Sequence, residues 1–171
     1  SAGDGRFPDE RLGLLFVCAH PAIAASARSP LMLQTVLGLD AARIASAFLV
    51  KPAAMAQRLV RAKAKIRDAK IPFVVPEPAQ WPERVAFVLE AIYAAYGRDY
   101  DDLGAEGGAA RGLGDEARWL SGLLTQLMPD EAEAWGLRAL LLHCEARRGA
   151  RPSGRFVPLS EQDTSRWDHG Q

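Results

Sequence analysis

Cysteine is scarce, long apolar runs are missing, and neither sign of charge prevails. The two cysteines, Cys18 and Cys144, stand far apart and belong to no CxxC pair, so two reduced, buried thiols are expected. The longest apolar runs, such as Leu137 to Cys144, are broken by Arg138 and His143 and fall far short of the roughly 20 residues a membrane span needs. Ser1 to Arg6 lack the basic-then-apolar arrangement of a secretion signal and read as a linker remnant. A cytoplasmic protein with no membrane partner is therefore expected. Strand-like alternation is almost absent, whereas apolar residues recur at helical spacing throughout the 171 residues. The expected fold is all-α.

Charge is balanced, with 21 basic and 21 acidic residues, yet unevenly spread. Between Lys51 and Lys70 stand Lys51, Arg58, Arg61, Lys63, Lys65, Arg67 and Lys70 against the single acid Asp68. A basic concentration in a neutral chain suggests a local polyanion site, although a solvated helix face would look the same.

Asp9 can cap a first helix carrying Leu12, Leu15, Phe16 and Ala19 on one face, stopped by His20-Pro21. A second helix is expected to open at Ser29-Pro30, as cap and first-turn proline, and to end at Gly38. Asp40 can cap a very short third helix, with Ile44, Ala45 and Phe48 facing inward, before Pro52 opens a long fourth one reaching Asp68 or Ala69. Pro72, Pro76, Pro78 and Pro82 make residues 71–82 a stiff linker. The domain boundary is placed there, with a first domain over residues 7–70 and a second over 83–171.

A fifth helix follows at Val85, Val88, Leu89, Ile92 and Tyr96, and the glycine-dense run Asp101 to Gly114 reads as a mobile connector. Trp119, Leu120, Leu123, Leu124 and Leu127 mark a sixth helix, and Asp130 with Glu133 has capping-box spacing for a seventh running from about Glu131 to Arg148. The tail is expected to be extended at Arg155-Phe156-Val157. All four tryptophans fall after residue 80, with core packing as their default role.

The short helix, tight turn and long basic helix between Leu39 and Arg67 have helix-turn-helix spacing. On the fourth helix Met55, Leu59, Ala62 and Ile66 fall at i, i+4, i+7 and i+11 and form one apolar stripe. At about 100° per residue, Gln57 and Arg61 then point away from the stripe, Ala54, Arg58 and Lys65 lie on one flank and Lys63 on the other. Gln57, able to pair with adenine, and Arg61, able to pair with guanine, are the candidates for direct base readout. Arg58, Lys63 and Lys65, with Lys51, are candidates for phosphate contacts, and Ala54 can offer only a methyl group.

The run AARIASAFLVKPAAMAQRLVRAKAKIRDAKIPF, with DERLGLLFVCAHPA upstream, resembles region four of extracytoplasmic-function RNA polymerase sigma factors, in particular the subgroup with a long C-terminal extension. The later MPDEAEAWGLRALLLHCEARR and GRFVPLSEQDTSRWD resemble that extension, and Pro129 to Trp135 resembles the first helix of a tetratricopeptide repeat. The resemblance implies a helix-turn-helix domain of winged-helix-like or sigma region four type, followed by a helical, tetratricopeptide-like domain. It implies binding of promoter DNA at the upstream (minus-35) element and of the beta-subunit flap of core RNA polymerase, with a regulatory protein or the rest of its own chain as a further partner. The chain departs from the subgroup at Ser29-Pro30 and at Tyr96 to Tyr100. No counterpart of region two is seen, so a fragment of a longer protein is expected, binding duplex DNA without starting transcription.

A metal site from Cys18, His20, His143 and Cys144 is disfavoured, because adjacent residues on a helix point about 100° apart. No oxyanion donor set accompanies Cys18, so neither an enzyme nor a cofactor is expected. Two other readings compete: a helix-turn-helix regulator independent of polymerase, and a helical protein-interaction scaffold whose basic helix binds an acidic protein.

Overall fold

Local signals close the first helix where the sequence predicts it. In a computed structural model, which describes residues 7–101, 108–151 and 157–170, helix α1 spans Glu10–Cys18 and the Asp9 carboxylate accepts from the Arg11 and Leu12 amides. Helices α2 (Ala25–Thr35), α3 (Ala41–Ala47), α4 (Pro52–Asp68), α5 (Val85–Asp101), α6 (Gly108–Leu127) and α7 (Ala132–Ala146) follow. The fold is all-α as expected, and no strand or β-wing occurs among the described residues. No helix among them is long and apolar enough to cross a membrane.

The chain divides into two compact units, one up to Ala95 and one from Tyr96. This division falls inside α5, later than the proline-rich segment 71–82. That segment and the first half of α5 are built into the first unit. Trp81 is buried, donates its indole N–H to the Pro76 carbonyl at 3.0 Å, and stacks edge-on against Phe7. Phe7 and Trp81 both lie against Phe16 of α1. Prolines stiffen this stretch, and the aromatic cluster fixes it in place.

Arg84 completes the attachment. Only 3% exposed, it donates Nη1 at 3.1 Å to the Phe16 carbonyl in the last turn of α1, which otherwise accepts only the Ala19 amide at 3.3 Å. Glu83 is its nearest anion, at 3.7 Å. Burial pulls the Arg84 guanidinium below its ordinary pKa, with Glu83 opposing.

Helix α2 is the main departure from expectation. It begins at Ala25, so Ser29 and Pro30 lie inside it and not at its start. The buried Ser29 hydroxyl is held between two acceptors of α5, the Phe87 carbonyl at 3.0 Å and the Glu90 carboxylate. Arg28 lies over the Phe87 ring at 4.6 Å. An internal proline normally costs a helix about 3 kcal/mol; here the contacts of α2 with α1, α3 and α4 hold the helix across it. Gly38, at φ 73, then ends the segment in the left-handed conformation, and the Leu39 amide reaches back to the Leu33 carbonyl at 2.9 Å.

In the second unit α6 and α7 pair in antiparallel fashion: Arg138 meets Thr125 at 3.2 Å, while the later Glu145 meets the earlier Arg118 at 3.9 Å. Residues 108–114, expected as connector, form the first turns of α6, and residues 102–107 of that expected connector lie outside the described residues. Each glycine weakens a helix by about 1 kcal/mol; the burial of Ala117, Leu120 and Leu124 on the same helix offsets that cost. Glu131, not Asp130, caps α7, accepting from the Glu133 amide at 3.3 Å. Tyr96 donates to Glu145 at 3.1 Å; burial first and the Glu145 charge second push its phenol above the ordinary value. The tryptophans divide in role, Trp81 being core and Trp119 and Trp135 about half exposed. Cys18 is buried and Cys144 only partly so. Of the extended stretch expected at residues 155–157, only Val157 is described.

Replacing Arg84 with Ala leaves the Phe16 carbonyl with only the 3.3 Å bond from the Ala19 amide and opens a cavity, and should cost about 2–4 kcal/mol in urea unfolding. A loss under about 0.5 kcal/mol would show that this contact is not what ties the segment down.

The loop after α1 carries a proton-sensitive bond. His20 Nδ1 accepts the Ala22 amide at 3.1 Å, which requires that nitrogen to be unprotonated. Burial lowers the His20 pKa from its ordinary 6.5, the Arg84 and Arg28 charges lower it further, and Glu83 opposes them. The native state therefore binds fewer protons than the unfolded chain. Its stability is fully present above about pH 6.5 and declines as pH falls through and below that value. His20→Asn keeps an acceptor that does not titrate, so its urea midpoint should fall less between pH 7 and 5 than the parent's. Parallel curves would rule His20 out as the source.

Candidate nucleic-acid interface

Three local devices set the geometry of α3 and α4. Asp40 caps α3 by accepting from the Arg43 amide at 2.9 Å. At its other end the Leu49 amide bonds the Ser46 carbonyl at 3.3 Å and the Val50 amide bonds the Ala45 carbonyl at 3.0 Å. This closing pattern places Leu49 in the left-handed region, at φ 54, with its side chain 94% exposed. Lys51 then adopts an extended conformation, and Pro52 occupies the first position of α4, where no donor is lost.

Helix α4 presents two faces. Met55, Leu59 and Ala62 are buried, and Ile66 is half-buried, as the spacing predicts. The helix packs on α3 and on α2. On the other side Ala54, Gln57, Arg61, Lys63 and Lys65 are exposed, as is Lys51 just before the helix. Among the described residues, Lys51, Gln57, Arg61, Lys63 and Lys65 make no side-chain hydrogen bond or ion pair, so their donors face solvent. Gln57 and Arg61 stand one turn apart, with Lys65 one turn further. Lys63 lies on the opposite flank.

The first turn of α4 contains no acid, so the positive end of the helix dipole is uncompensated. At the far end Lys70, at φ 48, ends the helix as Leu49 ends α3, and the Ile71 amide bonds the Ile66 carbonyl at 3.0 Å. Arg67 pairs with its neighbour Asp68 at 2.9 Å, which partly neutralises this end.

Arg58 stands apart from the other candidates. It is half-buried and donates Nη1 to the Ser26 carbonyl of α2 at 3.2 Å. Its place on α4, about 60° round from Met55, puts it beside the seam rather than on the outward face. Nothing in the sequence of α4 alone signals that contact, because the acceptor lies on another helix.

Among the described residues no group of three or more His, Cys, Asp or Glu side chains could hold a metal ion.

The chain is thus a protein of two all-α units whose first unit presents a short helix, a tight turn and a basic helix. A model of a family of unknown function, DUF6596, matches residues 84–171, just over half of the chain, and the chain belongs to that family. The match starts at the buried Arg84, and α3 and α4 lie before it. The chain is also similar to the uncharacterized protein R00370 of Rhizobium meliloti (strain 1021), at 43% identity over 163 residues. That match covers 94% of this chain, a span too long to omit α3 and α4, but only 38% of the relative. No solved structure matches the chain.

Leu49 offers a local test of the turn. A non-glycine residue in the left-handed region carries about 1–2 kcal/mol of strain, and an exposed leucine gains little from packing. Leu49→Gly should be neutral to about 1 kcal/mol stabilising after the greater entropy of an unfolded glycine is counted. Leu49→Val should destabilise, because β-branching fits this conformation worst. Equal urea midpoints for the valine, glycine and parent proteins would contradict the turn geometry.

Proposed function

We propose that the chain is part of a sigma factor that reads the upstream promoter element in duplex DNA with α4 and contacts core RNA polymerase. One observation carries the reading: the same helix that buries Met55, Leu59 and Ala62 leaves Gln57 and Arg61 exposed and without partners, on a face it shares with cationic side chains. A major groove admits one α-helix, and the amide and guanidinium groups pair in bidentate fashion with adenine and guanine. Lys51, Lys63 and Lys65 then supply phosphate contacts, which set register and make affinity fall with salt. The proposal draws on the likeness of residues 9–76 to region four of extracytoplasmic-function sigma factors. In this reading the second unit regulates, or docks with, the rest of a longer protein.

Fluorescence anisotropy with promoter-like and random duplexes across a salt series tests it. Arg61→Ala should lose about 1–3 kcal/mol of discrimination between the two duplexes. Lys65→Ala should weaken both alike and flatten the log–log salt slope by about 0.9. Equal affinity of all three proteins for both duplexes at low salt would refute base reading by α4. Copurification with the polymerase beta subunit separates a sigma factor from a regulator that acts without polymerase.

A further inference from the structure

Pro30 has no N–H, so the carbonyl four residues earlier in α2, that of Ser26, lacks the donor an α-helix would provide, and the proline ring crowds it outward. The Arg58 guanidinium donates to that same carbonyl at 3.2 Å. The side chain comes from α4, one turn after Ala54 and within one residue of Gln57 on one side and Leu59 on the other.

We propose that Arg58 is a positioning residue coupled to Pro30: it replaces the proline's missing donor, seats α4 on α2, and is thereby withheld from the DNA backbone. The proposal rests on the reading of α4 as a DNA-binding helix. It reverses the assignment that charge alone gives Arg58. A guanidinium at the edge of the buried seam, bonded to a backbone carbonyl of α2, reinforces the roll of α4 that the seam sets, and with it the direction in which Gln57 and Arg61 point. The phosphate contacts fall instead to Lys51, Lys63 and Lys65, whose donors are uncommitted. Pro30, in turn, is tolerated inside α2 because the helix across from it carries an arginine.

Two readouts on the full chain test this. In urea unfolding, Arg58→Ala should lower the midpoint of the parent but not that of Pro30→Ala, where the backbone amide restored by the substitution serves the Ser26 carbonyl; equal losses in both backgrounds would overturn the coupling. In duplex binding across a salt series, Arg58→Ala should leave the log–log slope of the parent unchanged. Pro30→Ala, which frees the guanidinium, should steepen it by about 0.9, the contribution of one phosphate contact. A slope that flattens by about 0.9 in Arg58→Ala alone would make Arg58 a phosphate ligand and end the proposal, even if Pro30→Ala did not fold. Failure of every variant and of the parent to bind duplex would instead refute the DNA-binding reading together with the withholding of Arg58, while the unfolding cycle would still decide the Arg58–Pro30 pair.

Discussion

Met55, Leu59 and Ala62 are almost wholly withdrawn from water, with Met55 at 0% and Leu59 at 2% exposure. Burying a methionine or leucine side chain contributes roughly 1.5–3 kcal/mol, so this seam fixes which way α4 is rolled against α2 and α3. Everything proposed for the helix follows from that roll. With the apolar stripe inside, geometry sends Gln57 and Arg61 outward and leaves Arg58 at the edge, close enough to α2 to bond a backbone carbonyl. A rotation of one residue, about 100°, would bury charge and expose the stripe.

The seam in turn depends on how the chain enters and leaves it. Asp40, the left-handed Leu49 and the proline at the head of α4 confine the turn between α3 and α4 to a few residues, so α4 cannot slide along its partners. The second layer of support comes from further along the chain. Trp81 and Arg84 hold the proline-rich segment on α1, and the Ser29 hydroxyl ties α2 to α5. The family match begins at Arg84 and the first compact unit ends at Ala95. Family boundary and packing boundary therefore differ, and the stretch between them bonds to α1 through Arg84 and to α2 through Phe87 and Glu90.

Most features governed by neighbouring residues were legible in the sequence, the cap of α7 at Glu131 in place of Asp130 being an exception. The caps at Asp9 and Asp40, the opening of α4 at Pro52 and the stripe from Met55 to Ile66 each express a local rule, and each stands where that rule puts it. Features governed by distant residues were not. Pro30 reads as a helix start because a proline's missing donor matters least there, and the packing of α2 on α1, α3 and α4 that carries the helix across it comes from distant residues. Prolines made residues 71–82 look like a spacer, yet Trp81 and the nearby Arg84 anchor the stretch through contacts with Phe7 and Phe16. Gly108 to Gly114 reads as a loop by composition, while burial further along α6 draws it into the helix. Gln57 and Arg61 occupy the exposed positions that the periodicity assigns, but Arg58 could not be told from its cationic neighbours by charge.

Amide and methyl chemical-shift mapping of the 18.5 kDa chain during titration with a promoter-like duplex bears most directly on the seating of α4. The largest changes should fall on Gln57, Arg61 and Lys65, with the Met55 and Leu59 methyl groups undisturbed in their seam. Changes centred on Met55 and Leu59, or confined to α6 and α7, would contradict a helix anchored by its apolar stripe and read by its outward face.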